Sequence, residues 1–513
     1  MRGYRLRLVN ESTLTAATLL LFELWRVPAL ESYFSNPDHG FQLGLGRQIL
    51  LGRRAFVDVF FNYGPLVPYT SAFGLWMWDS LIPETLICAA GYATAAYLIY
   101  AMVRQYSSAA AAWIAAASSL MFQTRFYKWY YWLFPLLVLY CLQKTTRARM
   151  PARHWALAAG LASAVGFLFR ADLGLACGLC SVVILLLQRH ARGLFAFAAG
   201  FLIPIGCWVG ALELLGGNAA LRDYGAAMID GASGVVREWS LPLPRFDLRD
   251  PLSQESRAAV AFAMPPFAYF GCAVLGWREY LGTSALRAIT RVLLAAALLG
   301  AALYPQALHR SDAAHLLSII PPFLVITPLL LAELWGERTV PSSRRAVASR
   351  GVAVVYIALT AVAASSIGAA AAADLAPLRS NPLARYRMLA AAMHSNLNHP
   401  TVQIAEAIVE NSGTTESILV AGIADQVYWL TPRRMSGLLN GYSLFILYSD
   451  AWRQRNLAAI NADPPAVVMI RSDFSVAPAD DLLRRLTPEL YEFISRNYRR
   501  VVYDRDGWVL LKR

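Results

Sequence analysis

Charge is scarce in this chain of 513 residues: Asp, Glu, Lys and Arg together make up 15%, against 57% hydrophobic residues. A soluble domain carries about 25% charged residues, so an ordinary soluble enzyme is excluded. Lysine is scarcer still, with three among the 46 basic residues, and no function attaches to that bias. Glycine-rich phosphate loops are missing too: neither GxGxxG nor GKS/T occurs in the strand–helix pattern after residue 417, so nucleotide binding has no support. Cysteine adds little. Cys88, Cys141, Cys177, Cys180, Cys207 and Cys272 all fall in apolar segments, where a thiol behaves as a small hydrophobe. Cys177 and Cys180 form a CxxC in mid-span without other ligands, which reads as core packing rather than metal or redox chemistry. The first apolar run lacks a small-residue cleavage site and contains Glu23 and Arg26, so it is expected to remain as the first transmembrane helix.

Long apolar runs are what the chain has instead. They recur at least ten times before residue 373, and the mean hydropathy is +0.43. Inside a bilayer each backbone N–H and C=O must be satisfied within its own segment, so such runs are helices. The expected fold class is a polytopic α-helical membrane protein with a small C-terminal α/β domain. About 11 transmembrane helices are expected near 13–33, 84–103, 108–123, 129–143, 155–170, 172–188, 193–215, 258–276, 289–304, 315–335 and 351–373. The segment Pro65 to Trp78 is apolar but short and interrupted by Pro68 and Gly74. It reads as a juxtamembrane helix with Trp76 and Trp78 at headgroup level.

Charge sets the orientation. With that segment left in the interface, the loops at 1–12, 104–107, 144–154, 189–192, 277–291 and 336–350 share one side and carry 17 Lys or Arg in 61 residues. The opposite loops carry 12 in 111 residues. The positive-inside rule makes the first set and the N-terminus cytoplasmic. It also accounts for the net charge of +13 without a nucleic-acid partner. Domain 1–373 then has long outer loops at 34–83 and 216–257, followed by a linker at 374–399 and an extracytoplasmic domain at 400–513. In that last part 417–423, 466–471, 500–503 and 508–511 read as strands, and 401–411 and 479–498 as amphipathic helices.

Ionisable groups near a bilayer are costly and therefore informative. They are densest in the first outer loop, Asn36-Pro-Asp-His-Gly-Phe-Gln-Leu-Gly-Leu-Gly-Arg47 and onward to Asp58, then Phe60-Phe-Asn-Tyr-Gly-Pro-Leu66. Asp38 follows the first span by about one turn, bracketed by Pro37 and Gly40. From Phe41 to Leu51 the apolar residues recur at helical spacing, as in an amphipathic helix lying on the membrane and presenting Arg47.

This arrangement resembles the GT-C glycosyltransferase superfamily, which includes protein O-mannosyltransferases, aminoarabinose transferases of lipid A and bacterial transferases using polyprenyl-phosphate sugars. The resemblance rests on the early outer-loop Asp38, the following helix, Asp58 with the Tyr63-Gly-Pro-Leu segment, Phe169-Arg-Ala-Asp-Leu-Gly174, and His309-Arg-Ser-Asp-Ala-Ala-His315. It implies an inverting transfer of one sugar from a polyprenyl-phosphate donor to a lipid, glycan or protein acceptor on the outer face of the bacterial inner membrane. Asp38 matches the catalytic Asp of the family, which makes it the expected general base; the alternative is that it caps the helix starting near Gly40. The short outer loop at 123–128 lacks the second acid that some members place there.

Chemically, such a transfer needs a base for the acceptor hydroxyl and cations for the departing phosphate. Outer-facing candidates are Arg47, Arg125, Lys128, Arg170, Arg310 and His315, of which Lys128, Arg310 and His315 are favoured; Arg47, like Arg53 and Arg54, reads equally well as snorkelling to the interface. His39, Asp58, Tyr63, Asp172 and Asp312 are expected to support the site, with Arg170 and Asp172 paired locally and Glu23 and Arg26 paired on one face of the first span. No cofactor is expected. A divalent metal held by Asp38, His39, Asp312 and His315 is the alternative. A transporter or flippase would place acids and broken helices at mid-membrane, and a polymerase or ligase of lipid-linked glycans would share the large outer loops.

Cysteines placed singly at Ser342 and Ser475 test the orientation. A membrane-impermeant thiol reagent added to intact cells is expected to label position 475 and spare position 342; the reverse pattern overturns the topology.

Overall fold

The computed structural model describes residues 2–28, 30–123, 125–145, 151–283, 286–336, 344–375, 380–391, 399–471, 479–505 and 507–513. Ser342, Ser475 and residues 376–379 and 392–398 of the expected linker lie outside the described residues. A helix stands at each of the eleven expected spans. Among the described residues, five are long and apolar enough to cross a bilayer by themselves: Ile82–Arg104, Ala152–Phe169, Ala191–Trp239, Gln254–Thr283 and Ala288–His309. Ala313–Ile319 and Pro321–Trp335 meet the same standard as a pair bent by 66°. The chain is a multi-pass helical membrane protein.

Several boundaries differ from expectation, each for a local reason. The first helix is Arg2–Trp25 rather than 13–33, because Pro28 disfavours helical backbone at Val27; Leu30–Ser35 is a separate helix. The expected span at 315–335 breaks at Ile320, where Pro321 and Pro322 cannot donate to the preceding turn. The helix Ala191–Trp239 is interrupted at Gly217, whose φ of 65° favours glycine. Beyond that break the expected outer loop continues as helix to Trp239.

The residues form two compact units. The first comprises Met1–Val27, Leu86–Gly206 and Ser240–Ser380. It is a helical bundle in which Tyr130–Thr145, Ala152–Phe169 and Ala171–Leu187 pack in sequence, and Ala288–Leu303 packs on both Ala171–Leu187 and Pro321–Gly336. Small residues let helices meet at backbone distance: a Cβ on Gly160 would lie 2.2 Å from the Phe197 carbonyl oxygen, and one on Gly200 2.4 Å from that of Leu157. Close approach of this kind drives helix association in lipid, where apolar burial alone does not. Cys177 and Cys180 are fully buried free thiols in this bundle.

The second unit comprises Pro28–Thr85, Cys207–Trp239 and Asn381–Arg513. Its sheet contains β1 (Ser417–Ala421), β2 (Arg434–Met435), β3 (Val467–Arg471), β4 (Arg500–Arg505) and β5 (Trp508–Lys512), in the order β2-β1-β3-β5-β4. β1 runs parallel to β2 and β3, while β5 pairs antiparallel with β3 and β4. Four strands stand where the alternating pattern placed them; β2, two residues long, carries no period. The expected helix at 479–498 is two, Ala479–Leu486 and Pro488–Asn497, parted at Thr487 before Pro488.

The segment expected as the first outer loop, 34–83, is built into this unit. The helix Pro37–Leu50 has nine buried residues between His39 and Gln48, so it does not lie on a membrane with one face exposed. Glycines permit this. A Cβ on Gly44 would stand 2.4 Å from the Asp425 carbonyl oxygen, and one on Gly46 2.8 Å from the Ala72 backbone nitrogen. Gln48, fully buried, donates to the Arg433 carbonyl at 2.9 Å and accepts from the Met435 N–H at 2.8 Å. Asp425, also fully buried, accepts from the N–H groups of Gly441 and Tyr442 at 2.8 and 2.9 Å. Burial pushes its carboxyl up to about 7 against the pull of those two donors.

Gly44→Ala is therefore expected to destabilise the second unit by about 1–3 kcal/mol through overpacking, read as a lowered thermal-unfolding midpoint of the purified protein. Gly271→Ala, in a helix with nothing within 4 Å of the added carbon, is the control and is expected to be neutral or slightly stabilising.

Candidate active site

In the first unit, cations gather around a carboxylate at the break between two helices. The turn Pro305–His309 is followed by Arg310, and Asp312 caps the next helix, Ala313–Ile319. The Asp312 carboxylate accepts from the His315 backbone N–H at 2.9 Å, hydrogen-bonds the His315 ring at 2.8 Å and pairs with Arg310 Nε at 3.1 Å. Leu241 N–H donates to the His309 carbonyl at 3.1 Å and fixes the turn from outside. Burial works to raise the pKa of Asp312, but hydrogen bonds from His315 and the charges of His315 and Arg125 outweigh it and hold the group well below the usual carboxylate range. Asp312 is thus an anion that organises the surrounding donors.

Two further groups join it. Arg125 and Lys128 act electrostatically on His315, and Arg125 also on Asp312. Lys128 ends a 3-10 turn, Phe126–Lys128; it is buried, with Nζ 5.6 Å from the centre of the Tyr127 ring. On the other side Arg170 and Asp172 form a two-point pair at 2.9 and 2.8 Å, with the guanidinium 5.4 Å from the Tyr131 ring. Gln306 donates to Asp172 at 2.8 Å, the charges of Arg170 and Asp172 reach His309, and the His309 and His315 rings lie 5.9 Å apart edge to face. Arg125, Lys128 and Arg310 thus gather with Asp312 and His315, and Arg170 and Asp172 stand beside His309.

The remaining sequence candidates belong to the second unit. Asn36, not Asp38, caps the helix Pro37–Leu50, accepting from His39 N–H at 3.3 Å. Asp38 stands in the first turn, half-buried. His39 Nε2 is hydrogen-bonded to Glu84 Oε1 at 2.9 Å, both buried, and its ring lies 4.8 Å from that of Tyr33. Arg47 pairs with Asp79. Asp58 is clamped by Arg54, with side-chain bonds of 2.9 and 3.0 Å and a backbone bond of 2.9 Å. Burial raises its pKa, but Arg54 pulls harder and the net direction is down. Tyr63 is buried 5.4 Å from Phe41. Arg47, Asp58 and Tyr63 are thereby engaged in holding this unit together.

Sequence reading passed over Gln306 and Glu84. Each is a single polar residue at the edge of an apolar run, with partners 134 and 45 residues away; the costliness of such a residue beside lipid was the only available signal. Among the described residues no group of three or more His, Cys, Asp or Glu is arranged to hold a metal ion.

The chain shares its fold with solved structures. The crystal structure of ArnT from Cupriavidus metallidurans in the apo state superposes with a TM-score of 0.54 at 15% identity, covering 98% of each chain. The same enzyme bound to undecaprenyl phosphate gives 0.52 at 14%, covering 98% of this chain and 97% of that one. An oligosaccharyltransferase from Archaeoglobus fulgidus matches more loosely, at 0.44 and 11% over 94% of this chain and 71% of that one. No protein-family model and no curated protein sequence matches the chain.

Asp312→Ala is expected to cost about 1–2 kcal/mol through loss of the helix cap, whereas Asp312→Asn keeps the cap. Because the folded-state pKa of Asp312 is depressed, its contribution is present above the unfolded value, near pH 4, and is lost as pH falls through the folded value. Unfolding midpoints followed downward from neutral pH are expected to fall less steeply in Asp312→Asn than in the wild type.

Proposed function

We propose that the protein is a membrane glycosyltransferase that moves one sugar from a polyprenyl-phosphate donor to an acceptor on the outer face of the cytoplasmic membrane, with inversion at the anomeric carbon. The observation that carries this reading is the cluster of Arg125, Lys128 and Arg310 at Asp312 and His315, with Arg170 beside the neighbouring His309. Support comes from the shared fold with ArnT, whose crystal structure holds undecaprenyl phosphate.

The chemistry follows from what leaves. As the acceptor oxygen bonds to the anomeric carbon, the bond from that carbon to the phosphate oxygen breaks and the electron pair departs with the phosphate. The lipid phosphate gains negative charge in that step, so cations fixed beside it stabilise the transition state more than the ground state. Arg310 offers planar donors, and Lys128, buried against an aromatic ring, offers a point charge. The acceptor hydroxyl loses its proton to a carboxylate, and Asp38 is the base in this reading. A single displacement inverts the centre without a glycosyl-enzyme intermediate. The long outer loops and the small sheet domain are left to take the acceptor.

The test is transfer of radiolabelled sugar from polyprenyl-phosphate donors to a membrane acceptor extract by the purified protein. Asp38→Asn is expected to lower the rate about 10²–10⁴-fold, and Lys128→Ala or Arg310→Ala about 10²–10³-fold each. Transfer untouched by Asp38→Asn sinks the base assignment. Absence of transfer, with movement of the lipid-linked sugar across liposomes, identifies a flippase instead.

A further inference from the structure

The first span holds an ion pair that the proposed reaction does not use. Glu23 and Arg26 are 0% and 5% exposed, and the guanidinium meets the carboxylate through Nε at 3.2 Å and Nη2 at 3.1 Å. A buried pair of this kind gains little over well-packed apolar residues, so its presence calls for another task. Arg26 has one. Its Nη1 donates to the Gln123 backbone carbonyl at 3.0 Å, and its Nη2 to the Gln123 side-chain oxygen. The guanidinium therefore grips both the backbone and the side chain of a residue 97 positions away.

Gln123 opens the short connection between the helices Ala109–Met121 and Tyr130–Thr145. Two residues on, the Arg125 carbonyl is held as well: it accepts from the Tyr92 hydroxyl and from the Lys128 backbone N–H, each at 2.7 Å. Tyr92 in turn lies beneath Arg26, 6.0 Å from guanidinium carbon to ring centre. The backbone that carries Arg125 and Lys128 is thus fastened at positions 123 and 125 by two buried side chains, Arg26 just past the end of the first helix and Tyr92 within Ile82–Arg104.

We propose that Arg26, held by Glu23 and acting through Gln123, is a positioning residue that keeps Arg125 and Lys128 directed at the phosphate of the lipid donor. This inference rests on the polyprenyl-phosphate reading above and adds the device that maintains its headgroup selectivity. The fork geometry of the guanidinium is what the task needs, since an ammonium at the same place can pair with Glu23 but cannot span the two oxygens of Gln123.

The experiment compares binding of undecaprenyl phosphate and of undecaprenol to the full chain in detergent, for wild type, Gln123→Leu and Arg26→Lys. Wild type is expected to prefer the phosphate. Both variants are expected to lose about tenfold of that preference while keeping wild-type affinity for the alcohol, and Gln123→Leu also the wild-type thermal midpoint. An unchanged preference in Gln123→Leu overturns the positioning role. So does a parallel loss of affinity for both lipids with a lowered midpoint, because that is a purely structural effect. Lack of headgroup preference in the wild type itself strikes at the donor assignment and removes the basis of this inference with it. The two failures are therefore separable by which protein reveals them.

Discussion

A charge withdrawn from water has to meet a partner, and most of what is distinctive in this molecule follows from where those partners are found. In an apolar chain the helices form by necessity, since each backbone donor must be matched within its own segment. Charged side chains have no such default. Glu23 and Arg26 satisfy one another and extend to Gln123; His39 meets Glu84; Asp312 draws in Arg310 and His315. Each pairing ties together segments that apolar packing alone would leave free to slide.

The same constraint separates simple pairs from shared groups. Asp58 meets Arg54 and Arg47 meets Asp79 as pairs. Asp312 instead serves Arg310 and His315 and feels the charge of Arg125, and Asp172 divides its oxygens between Arg170 and Gln306.

How much of this was legible in the sequence depended on separation along the chain. The apolar runs were legible as helix, because the signal is local and each segment must satisfy itself. Pro28 and the Pro321-Pro322 pair were equally visible, yet the apolar runs on either side of each hid the breaks they cause. The Arg170–Asp172 pair was readable since its members are two residues apart. Gln123 with Arg26, at 97 residues, and Gln306 with Asp172, at 134, were not. The helix Pro37–Leu50 was misplaced for a similar reason: its spacing of apolar residues fits a membrane surface, and only the close approach of Gly44 and Gly46 to Asp425 and Ala72 reveals that it is interior.

Asp425 has a consequence of its own. Its carboxyl sits at the base of the helix Gly441–Leu444 with no water to solvate it, and its pKa of about 7 stands well above that of the unfolded chain. Folding of this unit therefore takes up a proton across the interval between those two values, and the group's contribution to stability declines as pH climbs from about 4 to about 7, then levels off. The internal register between the first loop and the sheet is then weakest in neutral or alkaline surroundings and firmest in mildly acid ones.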